Sequence, residues 1–239
     1  MNSLLLFALR SRKFADGIIY RGQACECWEL VPRIFRRSDP ASFESSVAAE
    51  FLGLAMSRMT QPLLKEQTTE WLILMRHYGV PTRLLDWTQS PLVALYFAVC
   101  NEEHDKLDGT IWACSRTQLH SVVDDANDRM VPNLVKSAWV GERIRQVGML
   151  RAFQIDDRLR TQQSRFTIHG DPTPLESYER AGNCLRWVRV PSDKKPLLRD
   201  ALSHFGILRH ELFPDLDSLG KFCASSRLHP GRQDALESL

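Results

Sequence analysis

The sequence lacks a strong net charge of either sign. Its 239 residues include 31 Lys and Arg against 29 Asp and Glu, which gives a formal net charge of +2 at pH 7. This balance gives no argument for strong non-specific binding to nucleic acid, although the basic residues could still form a local patch. With 44% hydrophobic and 25% charged residues, the composition is that of an ordinary soluble globular protein.

Long apolar runs are also missing. The stretch from Leu4 to Leu9 is apolar, but its basic residues Arg10, Arg12 and Lys13 follow it rather than precede it. It is too short for a membrane span, and its charge order is wrong for a signal peptide. We therefore expect an N-terminal helix over residues 1–17, a cytoplasmic location and no membrane partner.

Metal-binding motifs are absent as well. The six cysteines contain no CxxC pair, and the spacing of Cys25 and Cys27 is too tight for an ordinary zinc knuckle. We interpret all six as reduced thiols. An acidic cluster at Asp124, Asp125 and Asp128 lacks the glycine and the downstream glutamate of an EF-hand loop. We therefore expect no metal site.

The most informative stretch runs from Met75 to Cys100. A helix predicted over residues 67–77 precedes it, and residues 82–88 are typical of a short strand. Ser90 and Pro91 are typical of an N-cap and the first position of a helix. Arg83 and Asp86 interrupt an otherwise apolar strand, where burying an unpaired charge costs several kcal/mol. The strand therefore either carries an internal ion pair or places its polar edge in a site.

The remaining pattern predicts one compact α+β domain over residues 18–226, followed by a loose tail over residues 227–239. Short apolar segments indicate strands at residues 18–22, 110–114 and 185–190, and a further strand is expected near residue 166. Helical spacing indicates helices over residues 43–59 and 194–205.

Two segments carry a family resemblance. Tyr20-Arg21-Gly22-Gln23 and HYGVPTRLLDWTQSPLVALYFA at residues 77–98 resemble the FRG domain family, which is named for an aromatic-Arg-Gly motif near its N-terminus. The resemblance covers most of residues 18–222. This family has been linked to the ADP-ribosyltransferase fold. The resemblance therefore implies a split β-sheet cleft with flanking helices, in which NAD binds as a substrate.

The resemblance also implies roles for individual residues. Arg21 is expected to contact the phosphate or ribose of NAD. Tyr78, Trp87 or Phe166 could stack on nicotinamide. The predicted catalytic residues are Arg21, His77, Asp86, Thr88 and Gln163, and the other predicted NAD-binding residues are Tyr20, Gly22, Tyr78, Arg83, Trp87, Ser90, Gln162 and Phe166.

One expected residue is missing. Transferases of this superfamily usually place a glutamate on a later strand, where this sequence has Gln162 and Gln163. Glutamine bonds a hydroxyl but supplies no negative charge and cannot act as a base. Three explanations stay open: Asp86 supplies the charge, the acceptor needs no base, or the domain binds a nucleotide without turnover.

Three functions follow from these observations. The first is an ADP-ribosyltransferase-like enzyme that modifies a protein or nucleic acid as a toxin or phage-defence effector, with an antitoxin-like regulator as a further partner. The second is a non-catalytic nucleotide- or partner-binding module. The third, a phosphate-ester enzyme built on His77 and His169, has no metal-ligand spacing in its favour.

Overall fold

A computed structural model describes residue 7 and residues 17–59, 63–122, 130–150 and 157–224. Most of the helix predicted over residues 1–17 lies outside these ranges. The acidic cluster and the tail over residues 227–239 also lie outside the described residues. The prediction of an α+β fold is confirmed, and the elements below belong to the described part of the chain.

Six strands form one sheet in these ranges, and every strand pair is antiparallel. Their order across the sheet is β4-β5-β2-β1-β3-β6. The strands are β1 (Ile18–Gln23), β2 (Leu84–Thr88), β3 (Gly109–Ser115), β4 (Val147–Met149), β5 (Ser164–His169) and β6 (Leu185–Val190).

The sheet is weakest at its centre. Strands β1 and β2 share a single register pair, Tyr20 with Thr88. By contrast, β1 pairs with β3 from Ile18 to Gln23, and β2 pairs with β5 along its whole length. The sheet therefore consists of two well-paired halves that part beyond one contact, which leaves room between β1 and β2.

Helices surround this sheet. They are α1 (Pro40–Met56), α2 (Thr68–His77), α3 (Pro91–Val99), α4 (Arg116–Val122), α5 (Met130–Val140), α6 (Asp157–Thr161), α7 (Ala181–Cys184), α8 (Lys195–His204), α9 (Arg209–Leu212) and α10 (Leu216–Ala224). Helix α2 lies where it was predicted. Helix α1 begins three residues earlier than predicted, with Pro40 in its first turn, and it ends at Met56 rather than Met59.

Two contacts position helix α3, one at its N-terminus and one along the side that packs against β1. The Ser90 hydroxyl accepts a hydrogen bond from the Val93 N–H at 3.3 Å, which confirms the predicted N-cap. Further along, a Cβ at Gly22 would lie only 1.7 Å from the carbonyl oxygen of Ala94. Glycine is therefore required at position 22 because α3 packs directly against β1.

Two apolar cores cover the two faces of the sheet. One contains Ile19, Trp87 and Ile168, and the other packs Ile111 of β3 against Ala94 and other residues of α3 and α8. Leu84 and Leu85 of β2 are both buried, and both belong to the first of these cores.

A buried lysine joins distant parts of the chain. Lys195, at the start of α8, is fully buried, and its Nζ donates to the carbonyl oxygens of Ala24 and His104, at 2.7 Å each. Burial lowers the pKa of its ammonium group. Because the ammonium needs acceptors once it is removed from water, these two carbonyls hold α8 against the loop that follows β1.

One cysteine interpretation is wrong. Cys25 and Cys27 form a disulfide with a Cα–Cα distance of 5.2 Å. The tight loop after β1 places both side chains on the same side. The other four cysteines, at positions 100, 114, 184 and 223, are free thiols as expected. Within the described ranges, no helix is both long enough and apolar enough to cross a bilayer.

Candidate functional site

A cavity of about 610 Å³ opens where β1 and β2 part. Its walls come from β1 and the following loop, the end of α2, β2, and the α6–β5 segment. Ten of the predicted site residues line it: Tyr20, Arg21, Gly22, His77, Tyr78, Asp86, Trp87, Thr88, Gln162 and Phe166. The lining residues that the sequence analysis missed include Gln23, Trp28, Arg76, Phe97, Arg158 and Ser164.

Asp86 and Arg76 form the central ion pair of this cavity. The Arg76 Nε donates to both carboxylate oxygens of Asp86 at 3.0 Å, and its Nη2 donates to Oδ2 as well. Arg76 comes from the last turn of α2, and Asp86 lies in the middle of β2. Asp86 raises the pKa of Arg76. Such a two-pronged pair fixes both side chains in one orientation.

Arg21 approaches the same carboxylate from β1. Its Nη1 donates to the Asp86 carbonyl oxygen at 2.7 Å and lies 3.8 Å from Asp86 Oδ2. Burial lowers the pKa of Arg21 to about 10, with Asp86 opposing the shift while Arg76 and Arg36 add to it. The guanidinium therefore stays charged at neutral pH.

The charge of Asp86 is secured by the same neighbours. Burial alone would raise its pKa, but the positive charges of Arg76 and Arg21 outweigh burial and leave the pKa below its usual value. Asp86 is consequently ionised at neutral pH. It is the one carboxylate among the described residues that line the cavity, against three arginines at positions 21, 76 and 158. The cavity therefore favours an anionic ligand.

The aromatic residues of the cavity divide into floor and rim. Trp87 and Phe166 are each only 3% exposed, and the Trp87 Nε1 donates to Thr167 Oγ1 at 3.0 Å within the core. Tyr78 and Trp28 are 69% and 36% exposed. The exposed pair is better placed than the floor residues to stack on a flat ligand ring, since a stacked ring needs an open face.

Polar side chains at the β5 end of the cavity form hydrogen bonds with backbone groups. The Thr88 hydroxyl donates to the Gln162 carbonyl oxygen at 2.6 Å and accepts from the Ser90 N–H at 3.1 Å. The Gln162 Nε2 donates to the Leu212 carbonyl oxygen at 2.9 Å. These bonds already use the Thr88 hydroxyl and the Gln162 amide nitrogen, so both residues shape the cavity wall.

Two predicted site residues, Gln163 and Ser90, lie outside the cavity. Gln163 is exposed and adopts a φ of 49°, while its carbonyl oxygen accepts from the Gln89 N–H at 3.1 Å. Its neighbour Gln162 faces inward, and adjacent residues at this turn point in different directions. Ser90 is occupied in capping α3.

Arg83, a predicted NAD-binding residue, also lies outside the cavity. It is 1% exposed and pairs with Glu44 of α1, with Nη2 to Oε2 at 2.6 Å and Nε to Oε2 at 2.9 Å. Its Nη1 also donates to Ser137 Oγ at 2.8 Å. An internal Arg83–Asp86 pair does not form, because side chains three positions apart in extended chain point to opposite faces.

The two histidines of the predicted phosphate-ester enzyme do not lie in the same site. His77 lines the cavity, but His169 is fully buried outside it, with Nε2 3.0 Å from Thr167 Oγ1. Burial lowers the pKa of His169 to about 3, and the charge of Arg21 adds to this shift. The two histidines are therefore not assembled for acid–base chemistry.

Arg76 is the most important residue that sequence reasoning missed. A basic residue in the last turn of a helix is usually explained by the helix dipole, which conceals a second role. Its position directly before His77 and Tyr78 was the available signal. No comparable signal in the sequence indicated Trp28, because the loop that carries it has no regular pattern.

Comparison with known proteins gives one match. The family model described as "FRG domain" matches residues 16–107. No curated protein and no solved structure matches the chain. The matched stretch contains β1, α1, α2, β2 and α3, and thus the pair of Arg76 with Asp86 and the approaching Arg21. The resemblance noted beyond residue 107 stays a prediction.

Proposed function

Because the chain contains an FRG domain, we propose that it is an NAD-dependent ADP-ribosyltransferase-like enzyme that modifies a macromolecule as a toxin or phage-defence effector. The observation that carries this proposal is the convergence of Arg21, Arg76 and Asp86 in a cavity between two sheet halves. The single register pair between β1 and β2 supports the split-sheet cleft that an ADP-ribosyltransferase-like fold requires.

Binding of the NAD pyrophosphate is the first part of the proposal. Arg21 and Arg76 are both oriented by Asp86 before any ligand arrives, so little side-chain freedom is lost when an anion binds. Arg158 of α6 adds a third positive charge to the cavity lining. Guanidinium groups suit a pyrophosphate because their N–H groups match its oxygens in pairs.

Cleavage of the nicotinamide–ribose bond is the second part. This reaction builds positive charge on the ribose, as in other glycosyl transfers. Asp86 is ionised and 39% exposed to the cavity side, so it is the group that stabilises such a cation. Tyr78 and Trp28 at the rim supply open faces for the nicotinamide or adenine ring.

A second candidate, a non-catalytic nucleotide- or partner-binding module, is favoured by one observation. Both carboxylate oxygens of Asp86 already accept hydrogen bonds from Arg76. Among the described lining residues no other carboxylate is available to act as a base, and Gln163 faces away from the cavity. In this case the cavity binds the anion without turnover.

The test compares NAD binding with nicotinamide release. Binding is measured by calorimetry, and release by mass spectrometry with cell lysate present as a source of acceptor. We expect Arg21→Ala to weaken NAD binding by about tenfold or more, which corresponds to about 1.4 kcal/mol. Asp86→Asn keeps the shape of the side chain and is expected to abolish release, which is measured at a saturating NAD concentration. Because it removes the carboxylate that orients Arg76, its NAD binding should fall, but by less than that of Arg21→Ala. Arg37→Ala, at an exposed arginine outside the cavity, serves as the control.

Each outcome has one meaning. Release that is lost in Asp86→Asn supports the enzyme, and ADP-ribose attached to a lysate component identifies the acceptor. Binding without release above background assigns the chain to the non-catalytic module. No binding of NAD to the wild type overturns the proposal.

A further inference from the structure

The disulfide between Cys25 and Cys27 borders the cavity between β1 and β2. The residues on either side of it, Ala24 and Trp28, both line this cavity. Cys25 is buried and 4% exposed, whereas Cys27 is exposed to solvent. A thiol in solution can therefore reach the bond from the Cys27 side. The bond is also the immediate neighbour of an aromatic side chain at the cavity rim.

The disulfide closes the turn that positions Trp28. The Trp28 N–H donates to the Cys25 carbonyl oxygen at 3.3 Å, so one turn contains both this bond and the disulfide. The indole of Trp28 meets the His104 imidazole edge to face, with ring centroids 5.2 Å apart. A single backbone hydrogen bond of this length constrains the chain far less than a covalent link does. The disulfide is therefore the main constraint on the turn.

The chain on both sides of this turn is held by contacts that do not involve the disulfide. Before the turn, the buried Lys195 ammonium donates to the Ala24 carbonyl oxygen at 2.7 Å. After the turn, the Leu30 N–H donates to the carboxylate of Glu176 at 3.1 Å. Cleavage of the disulfide should consequently free the turn and Trp28 while β1 and the rest of the fold stay in place.

The two sulfurs differ in a way that favours attack on Cys27. The Cys27 N–H donates to Cys25 Sγ at 3.2 Å. When a thiolate attacks Cys27 Sγ, the sulfur–sulfur bond breaks and its electron pair leaves on Cys25 Sγ, where this N–H stabilises the new thiolate. If the attacking molecule is a dithiol, its second thiolate then attacks its own sulfur in the mixed disulfide and releases Cys27. Two electrons and two protons pass to the protein, and the dithiol becomes a cyclic disulfide.

We propose that Cys25 and Cys27 form a reversible thiol–disulfide exchange site, and that reduction of this site by a dithiol releases Trp28 from the rim of the cavity. The oxidised chain holds the indole in place for a ligand ring, and the reduced chain does not. The exchange and the release are properties of the loop alone. Their effect on NAD binding rests on the function proposed above.

Exchange in the folded chain is tested with dithiothreitol as the probe. The protein is treated with increasing dithiothreitol, trapped with iodoacetamide without denaturant, and digested for mass spectrometry. We expect Cys25 and Cys27 to become alkylated together, and oxidised glutathione to restore the disulfide before trapping. The buried thiols of Cys114 and Cys184 should stay unmodified, which together with circular dichroism verifies that the chain remains folded.

Release of the turn is measured by hydrogen exchange in a peptide that covers residues 24–30. Reduction should speed amide exchange in this peptide by at least about tenfold, because the Trp28 N–H loses its fixed acceptor. The double variant Cys25→Ser with Cys27→Ser should show the fast exchange with or without dithiothreitol. Cys223→Ser removes an exposed free thiol outside the cavity, so it is the matched control and should respond as the wild type does.

The effect on the cavity is measured as the affinity for NAD in the two redox states. Loss of an ordered stacking partner should weaken NAD binding by about fivefold on reduction. Trp28→Ala should bind NAD as weakly as the reduced wild type in both states, because this variant has no indole for the disulfide to position. Absence of NAD binding in both states contradicts the proposed function alone, since alkylation and hydrogen exchange are measured without NAD.

Three results would overturn the inference. The first is a disulfide that dithiothreitol cleaves only when urea has unfolded the chain. The second is a reduced protein in which residues 24–30 exchange as slowly as in the oxidised protein. The third is a wild type that binds NAD with the same affinity in both redox states.

Discussion

Two ion pairs built from one short segment have opposite surroundings. Arg83 and Asp86 lie three residues apart, yet the Arg83–Glu44 pair is sealed, with both side chains 1% exposed. The Asp86–Arg76 pair borders the cavity, with side chains 39% and 22% exposed. The alternation of the extended chain sends one charge toward α1 and the other toward the space between β1 and β2.

The two pairs show how burial changes what a charge contributes. Desolvation raises the pKa of Glu44, although Arg83 opposes this shift. For Asp86 the balance is reversed, because two arginines outweigh desolvation and lower the pKa. The sealed pair therefore uses its hydrogen bonds to connect α1 to β2, while the open pair remains available to a ligand.

The largest expected effect comes from breaking the sealed pair. Glu44→Gln removes the charge that neutralises Arg83, which leaves a guanidinium in the interior without a counter-ion. We expect a loss of about 3–5 kcal/mol in the free energy of unfolding, measured by urea denaturation at pH 7. Glu50→Gln, at an exposed glutamate of the same helix, should change it by less than about 0.5 kcal/mol. Equal effects in the two variants would show that the Glu44–Arg83 pair is not a structural connection.

A pair of lysine substitutions sharpens the contrast. Arg83→Lys keeps the charge but loses the planar fork that contacts Glu44 and Ser137, so we expect a loss of about 2–3 kcal/mol in unfolding free energy. Arg76→Lys, in the open pair, should lose no more than about 1 kcal/mol. Thermal and urea unfolding of both variants provide the measurement. A larger loss for Arg76→Lys would reverse the assignment of the two pairs.

The smallest effect concerns pH. The pKa of Asp86 is lowered in the folded state, so its contribution to stability is present above the unfolded pKa of about 4 and is lost as the pH falls through the folded pKa. We expect the wild type to exceed Asp86→Asn by under about 1 kcal/mol at pH 7, since the carboxylate is partly exposed. Urea unfolding at pH 7, 5 and 3 should show this difference shrinking; a difference that grows toward pH 3 would contradict the sign.

Local signals predicted much of the fold. The serine and proline before α3 fix its start whatever surrounds them, because a cap depends on neighbouring N–H groups alone. The spacing of apolar residues likewise located α2, β2 and β6. Three of the residues that meet in the cavity, Arg21, Asp86 and His77, were recognisable from the motifs that carry the family resemblance.

Long-range partners could not be predicted in this way. Glu44 and Arg83 are 39 positions apart, and no local pattern states which acid will neutralise a buried arginine. Gln162 and Gln163 are alike in sequence, and only the turn geometry decides that one faces the cavity and the other faces solvent. The role of Arg76 likewise depends on the distance between α2 and β2 in space.

Lys195 shows that the family-matched segment depends on residues outside it. Strands β1 and β2 lie within the matched residues 16–107, but their longest pairings are with β3 and β5, which lie after residue 107. The Lys195 ammonium adds two bonds from α8 back to the carbonyls of Ala24 and His104. Since Arg158, Gln162 and Phe166 also line the cavity, its walls are complete only when the later part of the chain has joined the sheet.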